Sequence, residues 1–160
     1  MLNYRKIEPA DDKQIAKIIR YNLEKVHLNL PGTAYFDPEL DRLSSYYNTK
    51  PDKRAYFVAL GDAGEVVGGV GVAEFDGIEN CAELQKLYLS DSVKGRGCGK
   101  ELVKLAEESA RALGYQKLYL ETHSSLKAAV RLYEKLGYNQ VEKPCPTEHG
   151  TMNLFYLKQL

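Results

Sequence analysis

The sequence predicts an α/β fold built on a mixed, mostly antiparallel central sheet of six to seven strands, with one parallel crossover pair and helices on both faces. Three observations lead there. An apolar run, Tyr56–Leu60, and a β-branched, glycine-bearing run, Val66–Ala73, flank the turn residues Gly61-Asp62-Ala63-Gly64 and read as a hairpin. A strand ending at Leu89, a glycine loop, a helix to about Leu113 and a strand Lys117–Thr122 follow in order. Two strands joined through a helix in this way run parallel, with a right-handed crossover. Three separate segments carry apolar residues at helical spacing and can cover the sheet on both sides.

Each element has its own local signal. Asn3–Ile7 reads as a first strand. Asp11 followed by Gln14 has the form of a capping box, and behind it Ile15, Ile18, Ile19, Leu23 and Val26 mark one face of a helix. His27–Asp37 is irregular. Pro38-Glu39-Leu40 opens a second helix through Tyr47, since proline suits a first turn and acids suit a helix N-terminus. In the hairpin, Gly68, Gly69 and Gly71 point to a bulge or a close backbone approach. A short turn at Asp76-Gly77 leads to the strand Cys81–Leu89. The crossover helix, from about Gly97, carries Leu102, Leu105, Ala106 and Leu113 on one side and stops at Gly114. A helix Ser125–Leu136 presents Leu126, Ala129, Val130, Tyr133 and Leu136, and strands at Tyr138–Glu142 and Thr151–Leu157 finish the chain.

One hundred and sixty residues, 44% of them hydrophobic, suffice for one domain with its own core. The 22 Lys and Arg balance 22 Asp and Glu, so a nucleic-acid partner held by bulk charge is not expected. No apolar stretch approaches the length of a membrane span, and the N-terminus lacks a signal-peptide core. Three widely spaced cysteines, Cys81, Cys98 and Cys145, suggest neither a disulfide framework nor a metal site, which favours a reducing cytoplasm. A homodimer stays open.

Lys94-Gly95-Arg96-Gly97-Cys98-Gly99-Lys100 lies where a strand passes into a helix. Alternating glycines let backbone N–H groups converge, and the helix N-terminus adds unpaired donors, so the loop suits a phosphate or diphosphate. It is not a Walker A loop, which needs glycine at Lys94 and Ser or Thr at Glu101. Nor is it a GxGxxG fingerprint, whose last glycine would fall on Lys100.

Lys94–Gly99 resembles the Q/R-x-x-G-x-G/A motif of the GCN5-related N-acetyltransferases, and Leu132-Tyr133-Glu134-Lys135-Leu136-Gly137-Tyr138 resembles their L-Y-x-x-x-G-F/Y segment. Lys94 departs mildly from the first motif position. Leu126 stands where many members have an asparagine. The resemblance implies acetyl-CoA as co-substrate and direct acetyl transfer to an amine of a small molecule or peptide. It places the diphosphate on Lys94, Gly95, Arg96, Gly97, Cys98, Gly99 and Lys100, and the pantetheine arm on backbone groups of Leu87, Tyr88 and Leu89.

Tyr133, on the apolar stripe of its helix, is the implied acid for the departing thiolate, against the plainer reading of a core tyrosine. Glu83, on the strand before the loop, is the candidate base, with Glu121, His123 and His149 as rivals and solvent as a further one. Cys98, at a helix N-terminus, has a setting that lowers a thiol pKa, yet direct transfer needs no cysteine. The aromatic residues Tyr21, Tyr35, Phe36 and Tyr46, with His27, either box the acceptor or belong to the core. A different class of protein, a catalytically idle acyl-CoA-binding sensor or interaction module, would share the cofactor site and lack turnover.

Overall fold

The computed structural model describes residues 1–160. Seven strands form one sheet: β1 (Asn3–Lys6), β2 (Ala55–Leu60), β3 (Val66–Glu74), β4 (Cys81–Leu89), β5 (Lys117–Thr122), β6 (Asn139–Gln140) and β7 (Leu154–Gln159). Their order is β1-β2-β3-β4-β5-β7-β6, and every pair is antiparallel except β4 with β5. The four α-helices are α1 (Asp12–Lys25), α2 (Leu43–Asn48), α3 (Cys98–Ala112) and α4 (Lys127–Lys135). The expected mixed sheet, its single parallel pair and the helices on both faces are therefore present.

Alternation along the strands splits the core in two. Val70 and Val72 on β3, Leu84 on β4, and Leu118 and Leu120 on β5 pack with Leu102, Val103 and Ala106 of α3 and Tyr133 of α4. On the other face Tyr56, Val58 and Ala73 pack with Ile15, Ile19 and Leu23 of α1 and with Leu43 and Tyr47 of α2.

Long-range contacts move several boundaries. The reciprocal cap expected at Asp11 and Gln14 falls one turn earlier: the Glu8 N–H donates to the Asp11 carboxylate at 2.8 Å, which Arg5 grips through both guanidinium nitrogens at 2.7 and 3.0 Å. Gln14 instead accepts the Val66 N–H at the start of β3. The second helix starts at Leu43, not at Pro38. Asp12 of α1 sets that start by accepting both the Ser44 N–H and its hydroxyl, at 2.8 and 2.6 Å. The last strand starts at Leu154, not Thr151, because Thr151 donates its N–H to Gly32 and its hydroxyl to Pro31.

The glycines of β3 serve close packing. A Cβ on Gly69 would lie 2.5 Å from Cε1 of Tyr56 and 2.8 Å from its hydroxyl oxygen, with Ile15 at 3.0 Å. The extra residue of the bulge falls in the partner strand. Between the pairs Gly69–Tyr88 and Gly71–Gln85, β3 advances two residues and β4 three. Lys86, in that stretch, has φ +51°.

Replacing a strand glycine by alanine gains roughly 0.4–1 kcal/mol by restricting the unfolded chain. At Gly69 the fully buried Tyr56 ring has no room to yield, and overpacking of this kind costs about 1–3 kcal/mol. The clash wins. Gly69→Ala should lower Tm by several degrees in a thermal melt, whereas alanine at the open turn position Gly150, where a Cβ meets nothing within 4 Å, should leave it within a degree or two.

Candidate active site

Beyond β4, a short 3-10 turn (Asp91–Val93) leads into the glycine loop. Gly95 and Gly97 have φ of +75° and +81°, and a Cβ at either would meet nothing within 4 Å, so the loop faces open space. The first hydrogen bond inside α3 runs from the Glu101 N–H to the Gly97 carbonyl. The N–H groups of Cys98, Gly99 and Lys100 have no acceptor in the chain. Three donors at the positive end of a 15-residue helix form a cradle that fits a diphosphate.

The side chains of the loop divide. Arg96 and Lys100 are exposed and free of carboxylates. The Lys94 ammonium is held by the Asn22 carbonyl oxygen at 2.7 Å and by Asp91 at 2.8 Å. Cys98 turns inward and is 1% exposed. Burial pushes its thiol above the ordinary range, against the opposing effects of the Tyr4 hydroxyl and the Arg96 charge, so the setting expected to activate it does not do so.

The parallel pair is short. β4 and β5 are in register at Cys81–Lys117, Ala82–Leu118 and Glu83–Tyr119, and no further. From Gln85 to Leu89 the β5-facing edge of β4 borders a gap. Across β3 the Ser90 N–H bonds the Val67 carbonyl, so the preceding residue, Leu89, turns its own N–H and C=O toward the gap. That carbonyl accepts from the Asn22 amide at 2.8 Å. Leu87, Tyr88 and Leu89 thus lie along the free edge, half-buried, and lead straight to the cradle.

A cleft of about 270 Å³ opens at Glu83, on the α1 and α2 side of the sheet. The Glu83 carboxylate accepts from the Gln85 amide at 2.7 Å, and Gln85 accepts from the Tyr47 hydroxyl at 2.6 Å. Glu121, on β5, accepts from Tyr119 and Thr147, each at 2.7 Å. Only neutral donors hold these two acids. The cations of the cleft are used elsewhere: Lys86 meets Asp37 at 2.7 Å and Glu39 at 3.4 Å, and His149 meets Asp37 at 2.8 Å. Burial and the neighbouring Glu121 raise the Glu83 pKa above the usual carboxylate range despite the Gln85 hydrogen bond. For His149, burial opposes the charged form, but the hydrogen bond and charge of Asp37 prevail and its pKa is raised.

Tyr133 is 5% exposed, with its ring against Tyr138 and Tyr156. The hydroxyls of Tyr47, Tyr56, Tyr119, Tyr138 and Tyr156 each find a partner. That of Tyr133 has none, although no fully buried polar side-chain atom in the chain is left unpaired. Its oxygen therefore reaches accessible space. Burial raises its pKa, as it does that of Tyr88, which is pushed up to about 12, so both phenols stay protonated.

Of the remaining candidates, Tyr46 and His149 line the cleft. His123 is occupied at Nδ1 by Ser125 and takes no part in the lining. Tyr21 and Phe36 are exposed, and Tyr21 donates to Asp91. Leu126 is the N-cap residue of α4 and, like Tyr88, packs against the core on the α1 side. Sequence reasoning passed over Asp37, Lys86 and Asn22. A lone asparagine on the apolar stripe of α1, seven residues after Ile15, was a readable signal for the last. No group of three His, Cys, Asp or Glu side chains is arranged to hold a metal ion.

The sequence pattern of the Acetyltransferase (GNAT) family matches residues 23–138, a span that takes in the split sheet and the glycine cradle. The chain belongs to that family. It is 39% identical over 140 residues to the uncharacterized N-acetyltransferase YjgM of Escherichia coli K12, covering 86% of this chain and 82% of that one. An acetyltransferase of the GNAT family from Staphylococcus aureus Mu50 superimposes with a TM-score of 0.87 at 16% identity over 99% of both chains. The PaiA N-acetyltransferase of Thermoplasma acidophilum, solved with coenzyme A, gives 0.76 at 18% identity over 100% of this chain and 99% of that one. No helix is long and apolar enough to cross a membrane.

The Asp37–His149 pair predicts a pH dependence. A histidine whose pKa is raised on folding stabilises fully below its ordinary value of 6.5, and the contribution fades as pH rises through the folded value. Asp37, lowered on folding, contributes above its ordinary 3.8. The Tm difference between the unsubstituted chain and His149→Gln should therefore be greatest between about pH 4 and 6.5. It should amount there to roughly 2–4 °C, for about 1 kcal/mol, and shrink toward alkaline pH.

Proposed function

We propose that this chain transfers the acetyl group of acetyl-CoA directly to an amine of a small molecule or peptide in a ternary complex. One observation carries the reading: the free edge of β4 runs from a half-buried carboxylate, Glu83, to a cradle of unpaired N–H groups. Acetyl-CoA, when bound, supplies an activated carbonyl and a thiol leaving group. The N–H groups of Cys98, Gly99 and Lys100 hold its diphosphate, Gly95 and Gly97 leave room for it, and the free cations of Arg96 and Lys100 lie beside it, while Lys94 braces the loop through Asn22 and Asp91. Along the edge at Leu87, Tyr88 and Leu89, the backbone groups not paired with β3, the Leu89 N–H among them, hold its arm and face the oxygen on which negative charge develops. Glu83 accepts the amine proton, a task suited by its raised pKa. Tyr133 gives its proton to the sulfur as the C–S bond breaks and the C–N bond forms, and regains one from solvent.

Tyr133→Phe tests the reading. It keeps the ring and its packing and removes only a hydroxyl that has no partner to lose. Acetyl-CoA affinity and Tm should hardly move, while kcat should fall by roughly 10²–10⁴. An unchanged kcat would remove Tyr133 from the mechanism. Coenzyme A binding with no turnover on any amine would point to the idle binding module.

The charge of the cleft narrows the acceptor. Glu83, Glu121 and Glu148 line it without a cationic partner, since Lys86 and His149 are already engaged. An amine with a second positive charge is attracted, and one with an adjacent carboxylate is repelled. In a thiol-release screen, kcat/KM for an alkyl diamine should exceed that for an α-amino acid by at least about tenfold, or 1.4 kcal/mol. Glu121→Gln should narrow the ratio.

A further inference from the structure

Asn22 is the one amide on the apolar stripe of α1, and the fold uses all of it. One amide hydrogen goes to the Ile18 carbonyl of the preceding turn at 2.9 Å and the other to the Leu89 carbonyl at 2.8 Å. Its oxygen accepts from the Lys94 ammonium at 2.7 Å. Leu89 is the last residue of the free β4 edge, and Lys94 is the first of the glycine loop. The intervening 3-10 turn is exposed at Asp91 and Ser92 and buries only Val93. Asp91 is itself tied back to α1 through Tyr21 at 2.9 Å and Lys25 at 3.3 Å. Helix α1 thus spans the junction from one side, with Asn22 as its buried strut.

We propose that Asn22 is a positioning residue for coenzyme A, setting the spacing between the β4 edge that takes the pantetheine arm and the cradle that takes the diphosphate. The inference rests on the acetyl-CoA reading above. A ligand that spans two half-sites gains from both only when their separation matches its own length, because the second contact is then made at high effective concentration. A rigid strut keeps the match before the ligand arrives. Without it each half-site keeps its own groups, but the two drift relative to one another.

The test compares the whole ligand with its halves. Titrations with coenzyme A, pantetheine and adenosine 3′-phosphate 5′-diphosphate are run on the unsubstituted chain, Asn22→Leu and Asn22→Asp, each with its Tm recorded. Asn22→Leu removes both links. Asn22→Asp keeps an acceptor for Lys94 and loses the donor to Leu89, and it serves alone if the leucine variant does not fold. We expect the coenzyme A Kd to rise at least tenfold in either variant, with each fragment within about twofold of its original affinity. The KM for acetyl-CoA should rise with kcat nearly unchanged. Coenzyme A binding unchanged in the folded variants overturns the proposal. So does a loss carried in full by one fragment, which would make Asn22 a local contact of that half-site. Failure of the unsubstituted chain to bind coenzyme A would instead strike the acetyl-CoA reading itself, and this one with it.

Discussion

The parting of β4 from β5 after the Glu83–Tyr119 pair is the constraint on which the rest of the site depends. A parallel ladder continued to Leu89 would consume the backbone groups that a pantetheine arm needs and would close the space beside Glu83. The bulge at Lys86 prevents this. Its extra residue bends β4 away from β5, and its positive φ sends the lysine into the α1 side, where Asp37 and Glu39 receive the charge. The charge on a lysine side chain only 3% exposed would be costly without them. The same residue that opens the sheet thus recruits the loop that walls the cleft.

The strand edge and glycine loop of the candidate site were legible in the sequence because they are contiguous. From Cys81 to Tyr138 each element follows its neighbour in space, and the strand, glycine loop, helix, strand and helix could be placed from periodicity and turn residues. The crossover rule then made β4 and β5 parallel. Tyr133 could be put on an inward stripe, though only the fold reveals that its hydroxyl has no partner.

The cleft beside Glu83 was largely illegible, for a physical reason. Its members meet through side chains distant in sequence: Asp37 with Lys86, and Asp37 with His149 across 112 positions. The same kind of contact displaced the second helix, whose start answers to Asp12, and delayed the last strand, whose expected first residue is pinned to the Pro31-Gly32 turn. Local propensity was overruled at these points by tertiary bonds that no window of neighbouring residues contains. The glycines of β3 sit between these cases. Their presence announced close packing, but that Tyr47 and Tyr56 fill the space was not readable.

Asp37 stands where the chain segments before α2 and after β6 come together, and it is the carboxylate to which both Lys86 and His149 are tied. These loops are fastened to one another and to a single lysine of the sheet, while the diphosphate cradle rests on the core-packed start of α3. Loops held by few contacts open at lower cost than strands buried in a core. The two halves can therefore breathe independently. On the acetyl-transfer reading proposed above, opening of the loop wall releases the acetylated product while the cradle keeps its grip on the spent thiol carrier. Exchange of the outer loops over evolutionary time can likewise retarget the chemistry to a new amine without rebuilding the half that handles the acyl donor.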